Sequence, residues 1–363
     1  MPYAAQASPS AGDAQYQTAL TLFGQGRYAE GSQMLSQAAL AGHVPAMSLL
    51  GGQLLAGRGA EFDAATGARL ILRAAERGSG FACATAATLF ARGYAGCPDW
   101  PRALDFLTRS AELGFQPAQA QLRLLSGYKA GIDWKKLRRA VDIAAWRKIP
   151  KPVTLNEDPL IRTVQGLLSA ELCDALIARA RPLLASAPVY NETQGGNTIA
   201  EARRHSAAMF RVTDMDLVTE AVCNRVSALA GMPAVNAESL QVLHYRVGEY
   251  FAPHVDGWDL TFEGHAATLK TLGQRVFTVL VYLNDDLEGG ETEFLRLGLR
   301  HRGRKGDALM FRNVDAAGQT DPRTLHAGRP PSQGEKWLLS LWIRDRAPPE
   351  NSDPGLNAAM AGR

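Results

Sequence analysis

The sequence predicts a multidomain chain of two classes: an α-helical repeat solenoid, then an α+β domain built on an antiparallel sandwich or barrel with helices on one side. Three observations predict this. Small and apolar residues recur with a fixed 36-residue period in the first third. Two helical segments, 167–185 and 216–230, open the second half. Five short segments rich in Val, Leu, Phe, Tyr and Trp follow, each bounded by Gly, Asp or Asn. The length of 363 residues fits roughly two domains at about 150 residues each. Such a chain buries sizeable cores without disulfides or structural metal.

The repeat is legible in residues 38–46 (AALAGHVPA), 74–82 (AAERGSGFA) and 110–118 (SAELGFQPA). Gly42, Gly78 and Gly114 keep the period, as do Ala39, Ala75 and Ala111, then Ala46, Ala82 and Ala118, then Leu35, Ile71 and Leu107. Each unit is rich in Ala and Leu and punctuated by Gly at helix-end spacing, as at Gly57 and Gly93, which predicts two short helices per repeat. One such pair cannot bury its apolar face alone, so stacking is required. The pattern resembles the Sel1-like branch of the tetratricopeptide-type solenoids, with about three helix pairs over residues 14–127. That resemblance implies a concave surface for a peptide or partner protein.

Residues 1–13 and 347–363 are expected to be disordered. Residues 128–158 read as a basic helix and a linker. Their run of eight Lys/Arg (Lys129, Lys135, Lys136, Arg138, Arg139, Arg147, Lys148, Lys151) ends between Pro150 and Pro152. A solvated helix face explains this charge better than a nucleic-acid surface, because no aromatic series accompanies it. The candidate site residues described below all fall in residues 159–346. There, Ser169 is a plausible N-cap with Glu171 in the first turn, and the second helix stops at Gly231 and Pro233. Strands are expected at 239–247, 276–283, 291–297, 307–311 and 337–343.

Composition excludes several classes. A formal net charge of +3 is too weak to argue for nucleic acid. No stretch approaches the roughly 18 apolar residues of a membrane span. The N-terminus lacks the basic and apolar regions of a signal peptide. Cys83, Cys97, Cys173 and Cys223 form no Cys-x-x-Cys pair and read as small buried side chains in a reducing, cytoplasmic setting. Dinucleotide and P-loop glycine patterns are absent, and no Ser-His-Asp order competes.

The strongest local signal is His254-Val255-Asp256. Residues i and i+2 of an extended segment point the same way, so an imidazole and a carboxylate converge. With a third ligand they make a two-His, one-carboxylate facial triad that leaves positions open on Fe(II). His326 lies downstream in LHAGRPPSQGEKW, and Lys336 follows it by ten residues. An organic acid chelating iron at one end needs a cation for its far carboxylate, and Lys336 supplies one.

The order of motifs is specific. Tyr245-Arg246-Val247-Gly248 precedes His254-Val255-Asp256. Then come Thr278-Val279 with Tyr282-Leu283-Asn284, Gly289-Gly290-Glu291-Thr292 with Phe294, His326-Ala327-Gly328, and Lys336. About 160–346 thereby resembles the catalytic domain of prolyl 4-hydroxylase-type Fe(II)/2-oxoglutarate dioxygenases. The resemblance implies a double-stranded β-helix (jelly-roll) and iron ligation by His254, Asp256 and His326. It further implies a salt bridge from Lys336 to 2-oxoglutarate, with Tyr245 and Thr278 hydrogen-bonding the same acid. Fe(II), 2-oxoglutarate and dioxygen, with ascorbate as a reductant, are the implied cofactors. Hydroxylation of a peptidyl C–H bond, proline foremost, is the implied reaction, with no catalytic residue beyond the iron centre.

Some positions depart from that pattern. An upstream Arg-Thr-Ser element is replaced by Arg203-Arg204-His205-Ser206, read as a surface loop in which Arg204 corresponds to the substrate-contacting arginine. Phe251 stands where a tyrosine is usual. Residues 259–273 read as a long connection, with His265 and Lys270, able to form a lid. Trp258 and Trp342 are further candidates for substrate contact, Trp342 because it shares strand parity with Lys336. Two other functions stay open: hydroxylation of a free amino acid or carrier-bound intermediate, with the repeats holding a carrier protein, and an inactive repeat scaffold that only binds.

Overall fold

A computed structural model of the chain describes residues 12–347, apart from 58, 95–96, 129–131, 187–188, 192–195, 199–202, 212–213 and 261. The disorder expected at the termini falls almost wholly outside those residues, although Asp13 already opens the first helix. The described residues form two compact units, one running essentially to Val141 and the other from Asp142.

The first unit is helical: α1 (Asp13–Gly24), α2 (Tyr28–Leu40), α3 (Val44–Ala56), α4 (Ala64–Glu76), α5 (Gly80–Arg92), α6 (Trp100–Glu112), α7 (Gln116–Ser126) and α8 (Trp134–Ala140). The sequence period recurs in the backbone. The pairs α2–α3, α4–α5 and α6–α7 each turn at a glycine, Gly42, Gly78 or Gly114, with φ of 88°, 88° and 83°. Those left-handed values suit glycine and strain other residues. Asp63, Asp99 and Asp133 cap α4, α6 and α8, each accepting the N–H three residues on at 2.9, 3.0 and 2.9 Å. The periodic Ala and Leu/Ile columns are all buried. Two glycines let α3 and α4 touch: a Cβ on Gly67 would lie 2.9 Å from the Gly51 carbonyl oxygen and 2.9 Å from Leu55 Cγ.

The basic segment is two short helices rather than one. Val141 leaves α8 in an extended conformation, and Asp142 then caps α9 (Ile143–Trp146) by accepting the Ala145 N–H at 3.0 Å. Lys129 lies outside the described residues. Part of the charge is met within the first unit, where Arg138 pairs with Asp105 at 2.9 Å. Cys97 is exposed, against the expectation of four buried thiols; the other three are buried.

In the second unit α10 (Ala170–Ala180) starts where expected, with Ser169 accepting the Leu172 N–H at 3.3 Å. It ends early because Pro182 cannot continue it. Helix α11 (Leu217–Leu229) matches the second expected helix. The connection 259–273 is not a loop but carries α12 (Glu263–Leu272). Its Ala and Leu residues favour helix, and Gly273 (φ 77°) ends it.

The strands are β1 (Val153–Asn156), β2 (Ile161–Val164), β3 (Ala185–Ser186), β4 (Val189–Asn191), β5 (Gly196–Thr198), β6 (Arg203–Arg204), β7 (Ser206–Met209), β8 (Gln241–Tyr245), β9 (Tyr250–His254), β10 (Arg275–Tyr282), β11 (Glu288–Gly289), β12 (Thr292–Phe294), β13 (Leu299–His301), β14 (Ala308–Arg312), β15 (His326–Gly328), β16 (Pro331–Gln333) and β17 (Lys336–Arg344). A larger antiparallel sheet runs β1-β2-β14-β10-β17-β8-β7-β3, and a smaller one β13-β12-β15-β9-β6. Side chains from both fill one core. Phe294 of the smaller sheet meets Phe311 of the larger edge-to-face, centroids 5.0 Å apart, with Leu243, Leu280, Leu309 and Leu338 around them. This is the double-stranded β-helix that the motifs imply. The stretch 203–206, expected as a surface loop, instead joins β6 to β7 through a bend at His205, which is buried against Tyr245 and Phe251 with ring centroids 4.7 and 5.1 Å away.

The α3–α4 contact gives a test of the repeat packing. Gly67→Ala has no room for its methyl and should destabilise the chain by about 1–3 kcal/mol. The unfolding midpoint in urea should fall; an unchanged midpoint would contradict the close approach.

Candidate active site

The site is built by strand parity. On β17, Lys336, Leu338, Ser340 and Trp342 are alternate residues and all line one pocket. Neighbouring β8 contributes Gln241, Leu243 and Tyr245 in the same alternation. Six residue steps along the strand take Lys336 to Trp342, about 20 Å at roughly 3.3 Å each. The larger sheet therefore lays out a column with a cation toward one end and an indole toward the other.

The smaller sheet supplies the second wall. His254 on β9 and His326 on β15 are direct cross-strand partners, with ring centroids 4.3 Å apart. Asp256 lies just past the end of β9 and is buried. Among the described residues these three form a group whose donor atoms lie within 4.8 Å of one another. His254 Nε2 is 3.5 Å from Asp256 Oδ1, and His326 Nε2 is 3.7 Å from Asp256 Oδ2. Each imidazole is set by a local bond. His254 Nδ1 lies 2.8 Å from the Ala252 carbonyl oxygen, and His326 Nδ1 lies 3.0 Å from that of Thr324. A carbonyl only accepts, so both Nδ1 atoms carry a proton, and both Nε2 atoms face Asp256.

The electrostatics agree with ligation. Burial, then the neighbouring His254, pushes His326 down to about 4, so it is neutral at pH 7. For Asp256 burial acts upward, but His326, His254 and the Thr278 hydroxyl outweigh it and hold the carboxyl well below the usual carboxylate range. Two imidazoles and one carboxylate are the donor set that suits Fe(II) with positions left open.

Lys336 is 1% exposed, and its ammonium has no hydrogen-bond partner among the described residues. It pairs in register with Tyr245, with Nζ 5.1 Å from that ring's centroid. A buried cation left without an acceptor is costly unless an anion fills the space. Gly328 lines the same pocket, and a Cβ there would crowd it, lying 3.3 Å from Tyr245 Oη and 3.4 Å from Phe251 Cβ. The residues present therefore fit a metal and an organic anion in one pocket.

A model of the 2OG-Fe(II) oxygenase superfamily matches residues 240–344. Prolyl 4-hydroxylase 1 of Arabidopsis thaliana is 34% identical over 211 residues, 54% of this chain and 73% of that protein. The chain belongs to the prolyl 4-hydroxylase family. It is a 2-oxoglutarate-dependent dioxygenase, and its family uses Fe(II), 2-oxoglutarate and dioxygen, typically with ascorbate. Among solved structures, the viral collagen prolyl hydroxylase vCPH of Paramecium bursaria Chlorella virus-1, in its 2OG complex, is 28% identical; the match covers 50% of this chain and 94% of that one, with a TM-score of 0.39. A Sel1 repeat protein from Oxalobacter formigenes is 21% identical, with 38% of this chain and 61% of that one covered and a TM-score of 0.30.

The other sequence candidates fall in different places. Thr278 is buried but turns its hydroxyl to Asp256 Oδ2 at 2.6 Å rather than toward Lys336. Trp342 lines the pocket on the same strand face as Lys336. Trp258 instead packs edge-on against His265, and the Gln274 side chain clasps its backbone N–H and C=O at 2.8 Å each. Arg204 lies on β6 opposite Tyr250, and its side chain is outside the described residues. Lys270 is exposed on α12, while His265 is buried.

Sequence reasoning missed Arg275. Its guanidinium sits 3.7 Å from the Trp342 ring centroid and 5.3 Å from that of Trp258, and pairs with both Glu238 oxygens at 2.6 and 2.9 Å. The cue was its place at the start of the strand that carries Thr278.

The lone ammonium yields a prediction. Burial pushes Lys336 down to about 7 from 10.5, against the opposing charge of Glu291. The unfolded chain then binds more protons across that interval, so burial of Lys336 costs stability, most below about pH 7. Lys336→Met should raise the melting temperature of the metal-free, 2-oxoglutarate-free protein near pH 6.5–7. The gain should shrink as pH rises toward about 10.5. A variant less stable than wild type at pH 7 would contradict the picture.

Proposed function

We propose that the enzyme hydroxylates peptidyl proline, with His254, Asp256 and His326 holding Fe(II) and Lys336 receiving the distal carboxylate of 2-oxoglutarate. The observation that carries this is the buried Lys336 ammonium in the same pocket as the His–Asp–His cluster. When bound, Fe(II) supplies the activation of dioxygen, coupled to decarboxylation of 2-oxoglutarate to succinate and hydroxylation of a substrate C–H bond. The protein's own residues do the positioning. Lys336 makes a charge-assisted bond in a nearly dry place, and Tyr245 borders the same end of the pocket. Leu243, Leu280 and Leu338 keep the walls apolar and limit water around the reacting groups. Trp342, braced by Arg275, lies on the side of the column away from Lys336, where a substrate side chain would enter.

The names of the relatives support proline as the target, because those proteins are prolyl 4-hydroxylases. The helical repeats support a polypeptide rather than a free amino acid. A stacked helical surface on the same chain raises the local concentration of a peptide near the pocket without taking part in chemistry.

The reading is tested by turnover. With Fe(II), 2-oxoglutarate and proline-rich peptides, full-length protein should release succinate and add one oxygen atom per hydroxylated proline by mass spectrometry. Asp256→Ala should abolish both. Lys336→Ala should raise the KM for 2-oxoglutarate about tenfold or more, as expected for loss of a charge-assisted bond of about 1.5–3 kcal/mol. Full turnover by Asp256→Ala would refute the metal assignment. Hydroxylation of free proline in preference to any peptide would refute the substrate.

A further inference from the structure

Behind the metal-ligand cluster lies a short polar chain that no sequence motif announced. Thr278 is 1% exposed and Asn313 is fully buried. Thr278 Oγ1 lies 2.6 Å from Asp256 Oδ2, and Asn313 Nδ2 lies 2.9 Å from Thr278 Oγ1. Asn313 follows β14, whose Phe311 is the cross-strand partner of Thr278, so it continues that strand's inward alternation. Its backbone is fixed on both sides: its N–H donates to the Val276 carbonyl at 3.0 Å, and its carbonyl accepts the Asp321 N–H at 2.9 Å.

Proton counting fixes the direction of this chain. Asp256 is a carboxylate and can only accept. Thr278 has one hydroxyl proton, and the short contact to Oδ2 claims it. Thr278 must then be served by a donor on its other side. The Asn313 amide N–H₂ is that donor; the amide oxygen, 3.3 Å away, would set an acceptor against an oxygen with no proton left to give.

We infer that Asn313 is a positioning residue for the metal centre: by donating to Thr278 it commits the Thr278 proton to Asp256 Oδ2, which fixes the carboxylate's rotation between the two histidine Nε2 atoms. Asn313 touches neither the metal ligands' donor atoms nor the pocket wall, so it acts only through Thr278. The inference rests on the reading of His254, Asp256 and His326 as ligands. It assigns Thr278 to the metal rather than to 2-oxoglutarate, and the two assignments give opposite signatures.

The experiment is a Co(II) titration of the metal-free, full-length protein, read by visible absorption, alongside KM for 2-oxoglutarate at saturating Fe(II). Asn313→Asp keeps shape and removes the donor. It should weaken Co(II) binding about 10–100-fold, the usual range for a lost outer partner, and alter the absorption band. KM for 2-oxoglutarate should stay within about twofold of wild type, since no contact to the organic anion is lost. Thr278→Val should do the same, and Thr278→Ser, which keeps the hydroxyl, should restore Co(II) affinity. Wild-type Co(II) affinity and band in Asn313→Asp would overturn the inference. So would a Thr278→Val variant that raises KM for 2-oxoglutarate while binding Co(II) normally. Should Asn313→Asp not fold, the Thr278→Val and Thr278→Ser pair decides by the same criteria. Asp256→Ala is the control: if it binds Co(II) like wild type, the ligand assignment itself fails.

Discussion

The register of β17 is the constraint on which the site depends. This nine-residue strand is buried along its whole length and paired on both sides, to β8 and to β10. A slip of one residue would turn Lys336, Ser340 and Trp342 out of the pocket together. It would also break the pairing of Lys336 with Tyr245 and of Trp342 with Thr278. Packing between the sheets, centred on Phe294 and Phe311, penalises any such slip. The same contacts that stabilise the barrel therefore fix where the cation stands.

Against this rigid wall the smaller sheet sets two imidazoles in direct register and a carboxylate just beyond them. Local carbonyls choose the imidazole tautomers, burial keeps His326 neutral, and the Asn313–Thr278 pair holds Asp256. Each device acts on an atom that a metal would need, and each is supplied by backbone or by a buried neighbour. The unmet ammonium of Lys336 is the proposed counterpart for the organic anion. Groups left unsatisfied in the protein alone are the expected mark of a site prepared for a ligand.

Much of this was legible in the sequence because its signals are local. The 36-residue period, the N-cap at Ser169 and the parity linking Lys336 to Trp342 follow from short-range geometry and appear as expected. The motif order carried the double-stranded β-helix. What escaped depends on tertiary packing. Arg275 gains meaning only when β10 lies beside β17 and brings Trp342 against it. Asn313 reaches Thr278 only through the pairing of β14 with β10. His205 looked like a loop residue because its polar neighbours hide the ring stack with Tyr245 and Phe251. The helix over Glu263–Leu272 lacks a side-chain N-cap and carries Gly264 in its first turn, so only its Ala and Leu content marks it in the sequence.

The central claim is that one pocket holds Fe(II) on the His254, Asp256 and His326 wall and 2-oxoglutarate on Lys336 at the same time. Anaerobic titration of Fe(II) and 2-oxoglutarate into the full-length protein measures this directly, through the visible charge-transfer absorption of a 2-oxo acid bound to Fe(II). The account predicts a band that needs both components, saturates at one Fe(II) per chain, and is absent from His326→Ala. A band of wild-type strength in His326→Ala, or none in the wild-type protein, would contradict it.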